Sequence, residues 1–135
     1  MIARVVHPYN LQKALEHVIS NRGSAGVDGV KVNQLKEDFP TRKPQLLEDI
    51  ANGNYYSQPI LGVEIPKGNG KVRLLGVPTT TDRVLQQAVS QVIAPLFEPE
   101  FSSNSFGFRP NKNARQAVGQ SRDYIHQGLN HIVDI

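Results

Sequence analysis

At 135 residues the chain is about one domain's worth of polypeptide. Its Leu, Ile, Val and Phe content stands above the roughly one-fifth level below which chains usually stay disordered. With no cysteine, disulfides, thiolate zinc sites and thiol nucleophiles are excluded. No apolar run approaches the ~18 residues of a membrane span, and no signal-peptide pattern is visible, so no membrane partner is expected. Fifteen Lys and Arg against 12 Asp and Glu leave a net charge of +3, a mild lean toward polyanions.

Taken in chain order, residues 1–9 read as a short leader. Asn10 then has the chemistry of an N-cap for a helix over 10–21, with Leu11, Ala14, Leu15, Val18 and Ile19 on one face. The stretch Asn21 to Gly29 is turn chemistry throughout. A short helix over 33–39 is expected to stop at Pro40, and a second over 42–52 to carry Leu46, Leu47 and Ile50 inward. The period then changes to that of strands. Residues 60–77 form a hairpin turned by Gly68-Asn69-Gly70, in which Val72 and Leu74 alternate with Arg73 and Leu75.

Pro78 and the three threonines that follow cap a core helix over 80–94, marked by the broad stripe of Val84, Leu85, Ala88, Val89, Val92 and Ile93. A loop over 102–110 carries Phe106 and Phe108. Asn113 caps a last helix over 113–127, with Ala114, Ala117, Val118, Ser121 and Ile125 expected to face inward. A strand begins near His131 and is cut after Val133-Asp134-Ile135, which reads as a fragment of a longer protein. The edge of such a strand allows a homodimer.

Three segments rise above background. Between Lys67 and Arg73 the hairpin holds Lys67, Lys71 and Arg73 and no acid. Lys and Arg offer point and forked charge to phosphate oxygens, while the glycines let the backbone approach a ligand; a solvated basic turn is the plainer account. The loop Asn21 to Gly29 has three glycines and Arg22, so that backbone amides can follow a nucleic-acid strand. It lacks the Gly-Lys-Ser/Thr of a phosphate loop, and an ordinary loop explains it equally. The third segment is Phe106-Gly107-Phe108-Arg109-Pro110 with Lys112 and Arg115. No acid occurs between Glu100 and Asp123, and the basic residues lead into a helix N-terminus, where the dipole favours anions. Against that, the two phenylalanines read best as core anchors, and Arg109 serves equally as a donor to loop carbonyls. The four histidines have no metal-ligand spacing, and no catalytic constellation is visible.

In this order the segments NRGSAGVDGV at 21–30, IPKGNGKVRLLGVPTTTDRVLQQAV at 65–89, FEPEFSSNSFGFRPNKNARQAV at 97–118 and HIVDI at 131–135 resemble the N-terminal part of the reverse transcriptases encoded by bacterial group II introns, the maturase family. Leu74 departs from the proline that relatives often carry there.

The resemblance implies an α+β fold: the fingers subdomain of a right-hand polymerase, with helices around a β-hairpin, truncated at the first palm strand. Residues 10–53 would be an N-terminal helical extension with a glycine-rich lid loop, 54–128 the fingers, and 129–135 the start of the palm. It further implies a part of an RNA-directed DNA polymerase, a nucleotidyltransferase of a mobile element in the bacterial cytoplasm, whose parent also helps its intron splice. Lys67, Lys71 and Arg73 would bind the triphosphate of an incoming deoxynucleotide. Arg22, Gly23, Gly26, Arg109, Lys112 and Arg115 would meet the RNA template. The parent's partners would be intron RNA, an RNA template with its DNA primer, and deoxynucleoside triphosphates.

Its cofactor would be Mg2+, held ~4 Å apart as a pair by carboxylates. Register with the family's Val-Asp-Ile-Asp pattern puts the first of these immediately after Ile135; a different spacing would make Asp134 the metal ligand and catalytic aspartate. Either way the chain alone is expected to be inactive. The alternative is a non-catalytic RNA-binding module that kept the fingers and lost polymerisation.

Overall fold

The structure is a computed structural model and describes residues 1–133. It resolves into two units, Met1–Ile93 and a second from Ala94 onward. The elements run α1 (Ile2–Val5), α2 (Pro8–Ser20), α3 (Val32–Ala51), β1 (Leu61–Pro66), β2 (Val72–Val77), α4 (Thr80–Phe97), a 3-10 turn (Glu98–Glu100) and α5 (Ala114–His126). The result is α+β, with a two-stranded antiparallel sheet among the described residues.

The core of the first unit is made by three helices. Leu11, Ala14, Leu15 and Val18 of α2 meet Leu35, Phe39 and Leu46 of α3 and Val84 and Ala88 of α4. The α2 residues are the predicted stripe, but the start of that helix differs. His7 is its N-cap, accepting from the Tyr9 N–H through Nδ1 at 3.3 Å, and Pro8 occupies the first turn, where a missing N–H costs nothing. Asn10 therefore lies inside the helix. Its Nδ2 donates to the Val5 and Ala88 carbonyls at 2.9 and 3.0 Å, and its Oδ1 accepts from Gln91 at 2.8 Å. That bridge joins α2 to α4 and to the end of α1, a turn of helix within the expected leader.

The expected break at Pro40 does not occur. Residues 32–51 form one helix that contains both Pro40 and Pro44. A proline inside a helix costs ~3 kcal/mol. Both prolines are exposed, so water can satisfy the Lys36 and Pro40 carbonyls that lose their helical donors. Leu35, Phe39 and Leu46 bury the opposite side across the break point, and their burial outweighs the defect.

The hairpin pairs Leu61 with Val77, Val63 with Leu75, Ile65 with Arg73 and Pro66 with Val72. The Lys67 N–H donates to the Lys71 carbonyl at 2.6 Å, closing the turn. Asn69 and Gly70 both sit in the left-handed region, with φ of 71° and 72°, the conformation an Asn-Gly pair adopts most readily. Neither strand has a buried residue, so the ribbon stands clear of the helical core.

In the second unit, Asn113 caps α5 as expected, accepting from the Gln116 N–H at 3.0 Å while Gln116 Oε1 accepts from the Asn113 N–H at 2.9 Å. Its inward face is a different matter. No α5 residue is buried, and Val118 and Ile125 are 69% and 51% exposed. Residues 129–133 carry no strand, and the Leu129 N–H instead donates back to the Tyr124 carbonyl at 3.1 Å. Asp134 lies outside the described residues.

Candidate nucleic-acid interface

Lys67, Lys71 and Arg73 gather at one end of the hairpin. Arg73 sits opposite Ile65 on the face that also holds Val63 and Leu75, and the period-2 alternation carries Lys67 and Lys71 onto that same face. Glu64, the strand's carboxylate, pairs with Leu74 on the other face. All three cations are exposed, and among the described residues none makes a side-chain hydrogen bond or salt bridge.

The loop over 21–29 is held against the start of α4. A Cβ on Gly26 would fall 2.7 Å from both N and Cα of Thr79 and 2.9 Å from the Pro78 carbonyl carbon, so only glycine permits this approach. Arg83 reaches from α4 to donate through Nη2 to the Ser24 carbonyl. Its Nε is buried with no partner among the described residues. Arg22 is exposed and adopts a left-handed φ of 48°. Together with Gly23, Ser24, Lys31 and Asn33 it borders a cleft of about 630 Å³. Arg22, Gly23 and Lys31 thus line one cleft together with the apolar Ile19, Ala25 and Val32, while Gly26 serves the loop's seat on Thr79.

That seat depends on a residue that sequence reasoning passed over. Asp82 is buried in the first turn of α4. Its carboxylate accepts from the Tyr55 hydroxyl at 2.5 Å, the Thr79 hydroxyl at 2.6 Å and the Gln58 N–H at 3.2 Å. Thr79 in turn caps α4 by accepting from the Asp82 N–H at 3.2 Å. Burial, reinforced by the hydrogen bond and the charge of Asp82, pushes the Tyr55 phenol well above its ordinary range. The strand exit at Pro78, the glycine loop and the segment before β1 are therefore pinned to one point. A Thr-x-x-Asp signal is legible at 79–82 as a helix start, but nothing local announces Tyr55 or Gln58 as its partners.

The basic residues of the second unit divide. Arg109 donates from Nε and Nη2 to Glu98 Oε1 at 3.0 and 2.8 Å, and from Nη1 to the Ser102 and Ser105 carbonyls at 2.6 and 3.0 Å. It also lies over the Phe101 ring at 5.3 Å. This guanidinium organises its own loop, the structural role that the sequence left level with RNA contact. Lys112 similarly donates to the Ser103 carbonyl at 3.0 Å and covers the Phe106 ring at 4.9 Å. Arg115 alone of the three is exposed without a side-chain partner among the described residues. Phe106 is half-buried, whereas Phe108, expected in the core, is fully exposed.

Among the described residues, no group of three His, Cys, Asp or Glu side chains could hold a metal ion, and no helix is long and apolar enough to cross a membrane.

No protein-family model matches the chain. It is similar to protein YkfC of Escherichia coli K12, 32% identical over 87% of this chain and 32% of that protein. It is 34% identical to the group II intron-encoded protein LtrA of Lactococcus lactis over 78% of this chain and 18% of LtrA. With the putative COX1/OXI3 intron 2 protein of Saccharomyces cerevisiae it shares 29% identity over 87% of this chain and 13% of the relative. The chain thus spans a third or less of the length of these relatives. Over the stretch they share, it belongs with the group II intron-encoded proteins and maturases, the family its motifs resemble.

Proposed function

We propose that the chain is the nucleotide- and template-gripping fingers region of an RNA-directed DNA polymerase whose parent also acts as a splicing maturase on its intron RNA. The observation that carries this reading is the set of three cations, Lys67, Lys71 and Arg73, with no side-chain partner among the described residues, at one end of a ribbon with no buried residue. A ribbon whose side chains are free of the core can close over a ligand without disturbing the fold. Three cations on one face would neutralise a triphosphate, and the forked guanidinium of Arg73 would fix its orientation.

In the first unit, the cleft bordered by Arg22, Gly23 and Lys31 would take the backbone of the RNA template–primer; in the second, considered by itself, Arg115 would meet a phosphate at the first turn of α5. Such contacts hold a strand without reading its sequence. Mg2+ in the parent would be held by carboxylates, and the cations named here would supply grip and orientation.

The test is single-nucleotide incorporation by the full-length parent on a primed RNA template. Replacing Lys67, Lys71 and Arg73 together by Ala should lower kcat/KM for the deoxynucleotide by well over a hundred-fold and leave primer–template binding within about three-fold, since each charged hydrogen bond is worth ~1.5–3 kcal/mol. Unchanged incorporation would reduce the hairpin to a solvated basic turn.

A further inference from the structure

Phe108 is fully exposed among the described residues, at 112% of the reference value. Its backbone is also in the left-handed region, with φ of 54°. For a bulky side chain that conformation is an outlier, which persists only where surrounding contacts impose it. Those contacts are visible. Arg109, the next residue, is clamped to Glu98, Ser102 and Ser105, and Lys112 holds the Ser103 carbonyl. A second left-handed residue, Asn111 at 59°, completes the bend. Phe106, two positions earlier, has its ring under Lys112. The loop therefore uses one aromatic to build itself and holds the other out into solvent.

The surroundings of Phe108 say what chemistry would cover it. Glu98, which lines the same depression as Phe108, is already paired with Arg109, and no further acid occurs between Glu100 and Asp123. Arg115 and Arg122 are both exposed on α5, seven residues apart and so near one helix face. An exposed π-face on the loop that leads into α5, whose Arg115 and Arg122 have no side-chain partner among the described residues, matches a single-stranded nucleic acid: a base stacks on the ring and the phosphates meet the cations. We propose that Phe108 is a stacking platform for an unpaired base of the bound RNA, with Arg115 contacting the adjacent backbone. This rests on the RNA-gripping role proposed above and adds the site at which a base is held.

The chain has no tryptophan, so Phe108→Trp introduces a single indole at the proposed site. Titration with a 5′-labelled twelve-nucleotide oligoadenylate would be followed by indole fluorescence and by anisotropy of the label. Quenching should saturate at the same concentration as the anisotropy. Phe108→Ala should weaken binding about ten-fold or more while keeping the slope of affinity against salt, because no phosphate contact is lost. Arg115→Ala should reduce that slope. Circular dichroism should be unchanged in all three variants, since neither side chain is buried. An indole that stays unquenched on bound oligonucleotide, or a Phe108→Ala chain that binds like the wild type, would overturn the proposal and assign the ring to a protein surface. Failure of the wild-type chain to bind the oligonucleotide at low salt would instead overturn the RNA-gripping role together with this site.

Discussion

Gly26 and Thr79 are in backbone contact: a Cβ on Gly26 would stand 2.7 Å from both N and Cα of Thr79. Thr79 is also the N-cap of α4 and a donor to buried Asp82. The glycine loop, the exit of the hairpin and the start of the core helix therefore share one joint. A side chain at position 26 would press on the residues where the hairpin ends and α4 begins.

Gly26→Ala tests that joint directly. A methyl group pressed into backbone cannot be accommodated by a rotamer change, so overpacking should cost about 2 kcal/mol or more. Gly29→Ala is the control. Its φ of 68° is left-handed, but a Cβ there meets nothing within 4 Å, so about 1 kcal/mol of conformational strain is expected. Urea denaturation should rank the two in that order, and hydrogen exchange in the Gly26→Ala chain should show faster opening over residues 22–29.

Asp82→Ala should be among the most damaging single changes. It leaves the Thr79 hydroxyl, the Tyr55 hydroxyl and the Gln58 N–H without their acceptor. Hydrogen bonds to a charged group contribute ~1.5–3 kcal/mol and act here as one network, so a loss of about 3 kcal/mol is expected. Asp82→Asn keeps one acceptor and should lose less. A denaturation midpoint within error of the wild type would show that the carboxylate does not hold the joint.

The raised Tyr55 phenol makes stability depend on alkaline pH. Below about pH 10 the phenol is protonated in folded and unfolded chains alike, and it adds no pH dependence. Above that the unfolded chain releases the proton while the folded chain retains it, so stability falls as pH rises. Tyr55→Phe removes this term. The variant should be less stable by roughly 1–2 kcal/mol at neutral pH, and the gap should narrow above about pH 10. Denaturation curves at pH 8 and pH 10.5 check the sign.

What the sequence disclosed and what it hid divide by the reach of the interaction. The hairpin was legible because Gly68-Asn69-Gly70 and the flanking alternation are local facts. The stripes of α2 and α4 were legible for the same reason. Pro40 misled because a breaker is local, whereas the burial of Leu35, Phe39 and Leu46 that overrides it depends on α2 and α4. Asn10 looked like a cap and is instead a bridge to Ala88 and Gln91. Counting charges between Glu100 and Asp123 left Arg109 level between RNA contact and loop donor, because its carboxylate partner, Glu98, lies just outside that window. Phe108 was assigned to the core on residue type, and no local signal reports that its loop turns it outward.

Arg109 and Arg115, six residues apart, should respond oppositely to truncation. Arg109→Ala removes donors from Glu98 and from two loop carbonyls and uncovers Phe101, so limited proteolysis should cut the loop over 102–112 markedly faster. Arg115→Ala should leave proteolysis unchanged and weaken binding to single-stranded RNA, with a shallower salt dependence. The reverse pattern would make Arg109 the RNA contact and Arg115 the structural residue.

Arg73→Lys is the most discriminating change for the parent enzyme, because it keeps the charge and removes only the fork. Arg73 faces away from Glu64 and has no partner of its own among the described residues, so the substitution disturbs no internal bond. The turn is set by Asn69 and Gly70, and folding should be untouched. A planar guanidinium can donate two parallel hydrogen bonds to phosphate oxygens, which a flexible ammonium cannot reproduce. Losing one charged hydrogen bond of ~1.5–3 kcal/mol corresponds to about a ten- to hundred-fold fall in kcat/KM for the deoxynucleotide. Primer–template affinity should hardly move if, as proposed, the contact is to the nucleotide. Lys71→Ala should act in the same direction but more mildly, since an ammonium at an exposed turn is partly screened by water. If Arg73→Lys keeps kcat/KM within about two-fold, less than ~0.5 kcal/mol of transition-state stabilisation is involved. The guanidinium would then have no place on the triphosphate, and Lys67 and Lys71 would have to supply the grip alone.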